Sequence, residues 1–210
     1  MSGTELPAPA DRIRIVEERL LSDDWFVLKK TSFEYLRRDG TWQLQHRETY
    51  DRGNGAVLLL FNAARGTVVL TRQFRFPAYV NGCKDGLLIE ACAGLLDGDD
   101  PHTCICREAE EETGFMVRSA RKLFEAYMSP GSVTEKLHFF VAEYEPGDRR
   151  SPGGGDATEG EDIEVLELPL PDALRMVSEG RIQDGKTILL LQHAALTGLR
   201  QLLNPDGPWL

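Results

Sequence analysis

The sequence contains no long apolar run, and basic residues are few. No stretch approaches the roughly 18 apolar residues that a membrane-spanning helix needs, and residues 1–20 contain no apolar core of a secretion signal. Lys and Arg number 24 against 34 Asp and Glu, which gives a formal net charge of −10. Non-specific binding to nucleic acid or to an anionic membrane needs a basic surface. We therefore expect a cytoplasmic protein that binds neither nucleic acid nor a membrane.

Cysteine is also scarce. The four positions, Cys83, Cys92, Cys104 and Cys106, include no Cys-x-x-Cys pair, and no two histidines have zinc-finger spacing. We interpret these cysteines as free thiols in a reducing compartment. The 210 residues, 41% of them hydrophobic, are enough to bury one substantial core without disulfides or a structural metal.

The hydrophobic pattern predicts a mixed α/β protein in which strands outnumber helices. Antiparallel hairpins are predicted over residues 25–50 and 54–74. Residues 1–11 are interpreted as a leader, and the Gly-rich acidic stretch 146–162 is predicted to be a mobile lid. Further strands are predicted at 86–94, 116–128, 136–145 and 163–170, and further helices at 171–180 and 186–203.

One predicted helix, residues 100–114, carries most of the chemistry. Asp100 is a good N-cap, Pro101 suits the first helical position and Gly114 suits the C-terminal stop. The helix contains four glutamates among its last residues. Of these, Glu110 points away from the others and is predicted to be solvated.

The remaining three glutamates, Glu108, Glu111 and Glu112, have the spacing i, i+3, i+4 and share one helix face. Like charges at this spacing repel, and a divalent cation such as Mg²⁺, which prefers oxygen ligands, would offset the repulsion. Ile105 and Ala109 add an apolar stripe that places Glu108 and Glu112 at the buried edge of the helix. These residues alone leave open the alternative of a solvated acidic face without metal.

The stretch from Gly94 to Phe115 resembles the Nudix box, G-x5-E-x7-R-E-U-x-E-E-x-G-U, in which U is apolar. From Arg107 onward it matches at every fixed position. In the first half the acidic residue is Asp100 instead of Glu, and six residues instead of seven separate it from Arg107. Because the family's Glu braces the helix, Asp100 is expected either to brace the helix or to cap it.

The resemblance extends from about residue 12 to residue 200 and points to the nucleoside-diphosphate-sugar branch of the Nudix hydrolases. Within that branch, the shortened box, residues 50–55 (YDRGNG) and residues 184–187 (DGKT) most resemble the GDP-mannose hydrolases. The other stretches that carry the resemblance are 72–79 (RQFRFPAY), 91–97 (ACAGLLD), 127–140 (YMSPGSVTEKLHFF), 160–169 (GEDIEVLELP) and 182–191 (IQDGKTILLL).

The resemblance implies an α/β Nudix fold: a mixed β-sheet sandwiched between helices, with a small N-terminal antiparallel β-subdomain. Residues 1–50 would form this subdomain and dimerise, residues 51–203 would form the hydrolase domain, and residues 204–210 would be a tail. In the implied homodimer the N-terminal strands reach over the partner. The implied reaction is Mg²⁺-dependent hydrolysis of GDP-mannose to GMP and mannose 1-phosphate, with Mn²⁺ as a substitute metal. ADP-ribose and UDP-sugars remain alternative substrates.

The family's metal ligands match Glu108, Glu112, the backbone carbonyl of Ala93, and Glu161. Glu111 is a weaker candidate for a ligand. The catalytic residues implied in this way are Glu161, Glu112 and Glu108.

Glu161 is also the predicted general base, with Glu159 and Glu135 as alternatives. Trp25 is expected either to pack on the nucleotide base or to lie in the core or the dimer interface. The residues implied to bind the substrate are Trp25, His46, Arg47, Glu48, Arg75, Ala93, Glu135 and Lys186.

Two rival functions fit parts of the sequence. Residues 180–187 (GRIQDGKT) match the P-loop pattern, but a P-loop follows a strand, whereas residues 171–180 are predicted to be helical, so we interpret the match as chance. A non-catalytic Nudix module that only binds nucleotides would typically have lost the carboxylates of the box. Because Glu108, Glu111 and Glu112 are all present, we favour an enzyme.

Overall fold

The computed structural model describes residues 9–204, except for the side chains of Pro9, Ala10 and Glu159. Within this range the chain forms ten β-strands and four α-helices. The strands are β1 (Ile13–Asp23), β2 (Val27–Leu36), β3 (Trp42–Asp51), β4 (Gly55–Asn62), β5 (Thr67–Phe74), β6 (Leu87–Glu90), β7 (Cys92–Leu95), β8 (Arg121–Tyr127), β9 (Lys136–Glu143) and β10 (Glu164–Pro169). The helices are α1 (Phe76–Val80), α2 (Pro101–Glu108), α3 (Leu170–Ser178) and α4 (Gly185–Thr197). None of the helices in this range is long and apolar enough to cross a membrane.

The chain divides into two compact units. The first, called here the N-terminal unit, comprises the residues up to Gly53 together with Ser129–Glu135, and the second comprises the remaining residues. Residues 1–8 of the predicted leader and residues 205–210 of the predicted tail lie outside the described part of the chain.

The N-terminal unit is a three-stranded antiparallel sheet in the order β1-β2-β3. The predicted hairpin is confirmed, because β2 and β3 pair without interruption from Val27↔Asp51 to Leu36↔Trp42. Strand β1, which the sequence pattern did not predict, adds to the outer edge of β2 with two irregularities in its register. Every residue of β1 is exposed. With neither face of β1 buried, its sequence lacks the regular alternation that identifies a strand.

The second unit contains a seven-stranded mixed sheet. Its main order is β10-β5-β4-β9-β8, with β6 beside β5 and β7 beside β4. Strands β4 and β9 are parallel, whereas the other pairs are antiparallel. The predicted second hairpin, β4 with β5, is confirmed. The predicted strand 86–94 is divided at Ala91, because β6 pairs with β5 and β7 pairs with β4.

Helices cover both faces of this sheet, as the resemblance predicted. All of β4 is buried, and its residues alternate between two cores. The even-numbered positions of β4 from 56 to 60 pack with Ile105 and Ala109 of the box segment. The odd-numbered positions from 57 to 61 pack with Ala173 of α3 and with Leu190 and Leu191 of α4. The sheet is therefore a middle layer, and its buried faces fix α2 and α4 relative to β7.

The helix of the box begins and ends where the sequence predicts. Asp100 accepts hydrogen bonds from the backbone N–H groups of His102 (3.0 Å) and Thr103 (3.1 Å), and Gly114 ends the helix with φ +76°. The sequence did not predict that Ala109–Thr113 forms one turn of π-helix. Such turns widen the helix locally and are frequent at functional sites. Because of this turn, the three glutamates no longer follow regular α-helical spacing.

The P-loop interpretation is excluded by the fold. Residues 180–187 join α3 to the first turn of α4, so a helix and not a strand precedes them. The four cysteines are free thiols, as the sequence predicted.

Candidate active site

Glu108 lies against Gly94 of strand β7. A Cβ atom on Gly94 would lie 2.2 Å from the side-chain carboxyl carbon of Glu108, so only glycine leaves room for this side chain. The carboxylate also accepts a hydrogen bond from Arg107 Nη2 at 3.3 Å. Burial raises the pKa of Glu108, and the charges of Glu111 and Glu161 add to that effect. The glycine that opens the box therefore makes room for the glutamate near its end in the position it occupies.

Glu112 is the most deeply buried carboxylate of the box, with 2% of its surface exposed. Its Oε2 accepts a hydrogen bond from the backbone N–H of Ala93 at 3.3 Å. Burial, together with the neighbouring charges of Glu161 and Glu108, raises the pKa of Glu112 to about 8. Glu111, in contrast, is exposed.

Glu161 is held by the loop that the sequence predicted to be a lid. The Oε2 atom of Glu161 accepts a hydrogen bond from the backbone N–H of Asp156 at 2.9 Å. A Cβ atom on Gly155, where φ is +75°, would lie 2.2 Å from the same oxygen. The position of Glu161 therefore depends on Gly155, six residues before it. The side chain of the alternative, Glu159, lies outside the described part of the structure.

The Gly-rich part of this loop is docked on the end of the box segment. Gly154 N–H donates to the carbonyl of Glu112 (2.9 Å), and Gly155 N–H donates to that of Glu111 (3.1 Å). A Cβ atom on Gly153 would lie 2.5 Å from the carbonyl oxygen of Glu112. The loop thus supplies donors to carbonyls that a helix end leaves unpaired. This part of segment 146–162 differs from the predicted free lid, because it is bonded to the glutamate helix.

The donor set suits a hard divalent cation. Among the residues that the structure describes, no three His, Cys, Asp or Glu side chains are close enough together to hold a metal ion as they stand. The charge of Glu161 nevertheless raises the pKa of both Glu108 and Glu112, and the charge of Glu108 raises that of Glu112. A cation among them would relieve this repulsion, and carboxylate and carbonyl oxygens are the ligands that Mg²⁺ prefers.

Two cations of the predicted substrate site, Arg75 and Lys186, meet at one buried carboxylate, Glu90. Arg75 Nε lies 2.8 Å from Glu90 Oε1, and Lys186 Nζ lies 2.5 Å from Glu90 Oε2. Lys186 also contacts Asp184 at 3.0 Å. Sequence reasoning missed Glu90. The signal that could have identified it is a single charged residue inside the apolar strand LLIEACA, where an unpaired charge would be costly.

The other predicted substrate residues belong to the N-terminal unit. Trp25 is 82% exposed and lies edge-on to the ring of Phe26, so of its alternatives the core position is excluded. His46 Nδ1 lies 2.9 Å from Ser32 Oγ. The remaining members of this set are Arg47, which donates to the carbonyl of His46 (2.8 Å), Glu48, which is exposed on β3, and Glu135, which contacts Arg52 Nε (3.4 Å).

Known proteins resemble this chain over nearly its whole length. Residues 12–50 match the GDP-mannose pyrophosphatase NudK N-terminal domain, and residues 51–195 match the NUDIX domain. A GDP-mannose pyrophosphatase of Pectobacterium atrosepticum is 60% identical over 89% of this chain and 95% of its own. Those of Klebsiella pneumoniae and Salmonella arizonae are 54% and 53% identical, over 89% and 90% of this chain and 93% and 98% of theirs.

The fold also matches a solved structure. The crystal structure of an ADP compounds hydrolase superposes with a TM-score of 0.67 and covers 90% of this chain and 96% of its own, at 17% sequence identity. This likeness concerns the fold alone, whereas the domain match and the curated relatives concern the sequence. The chain therefore belongs to the Nudix hydrolase family.

Proposed function

We propose that the protein hydrolyses the pyrophosphate bond of a nucleotide sugar, GDP-mannose, and releases GMP and mannose 1-phosphate. The observation that carries the proposal is the buried carboxylate of Glu112 beside Ala93, close to the charges of Glu108 and Glu161. Relatives that are 53–60% identical over about nine-tenths of the chain are GDP-mannose pyrophosphatases, which supports this choice of substrate.

The carboxylates of Glu108, Glu112 and Glu161 and the carbonyl of Ala93 are the proposed ligands of Mg²⁺, which Mn²⁺ can replace. When bound, the metal neutralises charge on the phosphates and makes a bound water more acidic. Glu161 accepts a proton from the attacking water, which is the role of a general base. Glu111, which is exposed, is assigned no more than an outer contact.

The cationic residues contact the diphosphate, and other side chains contact the nucleoside and the sugar. Arg75 and Lys186 are the proposed phosphate contacts, because both carry their charge beside the strand that leads to Ala93. Glu135 is the proposed contact on the sugar side. The residues proposed to contact the nucleotide are Trp25, His46, Arg47 and Glu48.

We further assign dimerisation to residues 1–50 and catalysis to residues 51–203. Strand β1 supports this assignment, because it is an edge strand whose apolar residues are exposed, and such edges favour pairing with another chain. The exposed apolar residues of β1 are Ile13, Ile15, Val16, Leu20 and Leu21. Sedimentation is expected to give twice the 23.5 kDa of one chain. Ile15→Lys should shift the protein toward the monomer, whereas Leu196→Lys, a change of an exposed residue on α4, should not.

A substrate panel tests the function. The protein is incubated with Mg²⁺ and GDP-mannose, ADP-ribose or UDP-glucose, and phosphate is measured after treatment with a phosphatase. We expect hydrolysis of GDP-mannose that EDTA abolishes, Mg²⁺ restores and Glu112→Gln reduces by several orders of magnitude. Faster turnover of ADP-ribose or UDP-glucose would contradict the choice of substrate. Near wild-type turnover by Glu112→Gln would contradict the metal site.

A further inference from the structure

We propose that Glu90 is a positioning residue that holds Arg75 and Lys186 side by side for the two linked phosphates of the substrate. The proposal rests on the proposed function, since it concerns the same site. The side chain of Glu90 is only 3% exposed, and it is not one of the proposed metal ligands. Its role is to fix the two cations, and it does not itself contact the substrate.

The geometry makes one carboxylate bridge both cations. Glu90 Oε1 accepts a hydrogen bond from Arg75 Nε at 2.8 Å, and Oε2 accepts a second from Arg75 Nη2 at 3.2 Å. The same Oε2 accepts a hydrogen bond from Lys186 Nζ at 2.5 Å. Because two nitrogens from different elements contact a single oxygen, the guanidinium and the ammonium must lie close together. Their mutual repulsion would separate them if that negative charge were absent.

A second set of hydrogen bonds fixes Lys186 from the side of its helix. Asp184 Oδ1 accepts from Lys186 Nζ (3.0 Å), while Oδ2 caps α4 by accepting from the backbone N–H of Thr187 (3.0 Å). Thr187 Oγ1 in turn accepts from the backbone N–H of Ala91 at 2.7 Å. Ala91 directly follows Glu90 and precedes β7. The start of α4, the two cations and the strand that carries the box glycine therefore form one connected network.

The electrostatics show that Glu90 is ionised inside the protein. Burial by itself would raise the pKa of Glu90, but Lys186 and Arg75 outweigh that effect and lower the pKa to about 2. A buried ion pair is often no more stabilising than apolar residues of similar volume, so stability alone does not account for it. Arg75 keeps 40% of its side chain exposed. Its inner edge is bonded to Glu90, and the rest of the guanidinium remains accessible to an anion.

The test compares Glu90→Gln and Glu90→Asp with the wild type and with Glu164→Gln. The Gln variant removes the charge, whereas the Asp variant keeps the charge but withdraws the carboxylate from both cations. Glu164→Gln is the matched control, because it removes an exposed ion pair with Arg72 on the adjacent strand pair. Two quantities are measured: KM and kcat for GDP-mannose with Mg²⁺, and the Kd for GDP in EDTA.

We expect Glu90→Gln to raise KM and the Kd for GDP at least about tenfold while kcat changes about threefold or less, the pattern of lost ground-state binding. Glu90→Asp should also raise KM and the Kd for GDP. If the Gln variant does not fold, the Asp variant by itself tests the proposal. Glu164→Gln should match the wild type. A purely structural role would lower Tm or the active fraction, and neither effect changes KM or Kd.

The outcomes separate this inference from the proposed function. Unchanged KM and Kd in the folded Glu90 variants overturn the positioning role, even if the wild type hydrolyses GDP-mannose. A wild type that binds GDP but hydrolyses no nucleotide sugar contradicts the proposed function, and the positioning role then stands or falls on the Kd values. A wild type that neither binds GDP nor hydrolyses GDP-mannose overturns both.

Discussion

We expect the metal-free protein to become less stable as the pH rises, because of Glu112. Burial, together with the charges of Glu161 and Glu108, raises the pKa of Glu112 from 4.5 to about 8 in the folded chain. Between these two values the folded state holds a proton that the unfolded state has lost. The stabilisation from this proton is therefore complete below the unfolded pKa of 4.5 and is lost as the pH rises through about 8.

The magnitude follows from the size of the pKa difference. Each unit corresponds to about 1.4 kcal/mol. From about pH 5 to about pH 8, the free energy of unfolding should fall by about 4 kcal/mol through Glu112 alone. In a chain of 210 residues, this corresponds to a decrease in Tm of about 8–16 °C.

The assay is thermal unfolding in EDTA across this pH range, for the wild type, Glu112→Gln and Glu110→Gln. The difference between the wild type and Glu112→Gln isolates this residue from other groups that titrate. Glu110→Gln is the matched control, because Glu110 is exposed on the same turn. Mg²⁺ should raise the Tm of the wild type more at pH 8 than at pH 6, since carboxylates must be ionised to bind metal and binding stabilises the native state.

Two results would refute this reasoning. One is a Glu112→Gln variant whose Tm falls with pH as steeply as that of the wild type. The other is a Glu110→Gln variant whose Tm no longer depends on pH, because the predicted pH dependence comes from the burial of Glu112 and Glu110 is exposed.

Three further predictions concern the loop and the cation network. Glu161→Gln should lower kcat at least about 100-fold with a smaller change in KM, as expected of a general base, and a silent variant would assign the base elsewhere. Gly155→Ala should lower kcat at least about tenfold, because its Cβ would displace Glu161. Gly147→Ala is the control and should leave kcat unchanged, because a Cβ at Gly147 meets no atom within 4 Å. Equal losses of kcat in the two variants would contradict the idea that Gly155 positions Glu161. The pKa of Glu90 is about 2 in the folded chain, against 4.5 for an ordinary glutamate. Glu90 should therefore add about 3 kcal/mol to the free energy of unfolding above pH 4.5, and this contribution is lost as the pH falls through about 2. Acid unfolding of Glu90→Gln measures this contribution, and a wild-type acid profile in that variant would disprove it.

The sequence by itself determined the features whose signals are local. The cap at Asp100 and the stop at Gly114 depend on backbone groups within a few residues, and the same holds for the hairpin β4–β5. The box pattern from Arg107 onward identified the family for the same reason, because its fixed positions lie on one short segment. The sequence was also enough to reject the P-loop match at residues 180–187. The hydrophobic periodicity of residues 171–180 predicts a helix before the match, where a P-loop needs a strand.

Only the tertiary structure decided which distant groups meet. Glu90 and Lys186 are 96 positions apart, and their contact depends on β6 lying beside the start of α4. The regular α-helical spacing predicted Glu112 at the buried edge of the helix, which is confirmed, but it predicted neither the π-helical turn at Ala109–Thr113 nor the exposure of Glu111 on that turn. The docking of Gly154 on Glu112 is a similar case. Local propensity cannot encode such contacts, because their energy comes from charges and backbone groups that become neighbours only once the sheet and its helices have packed.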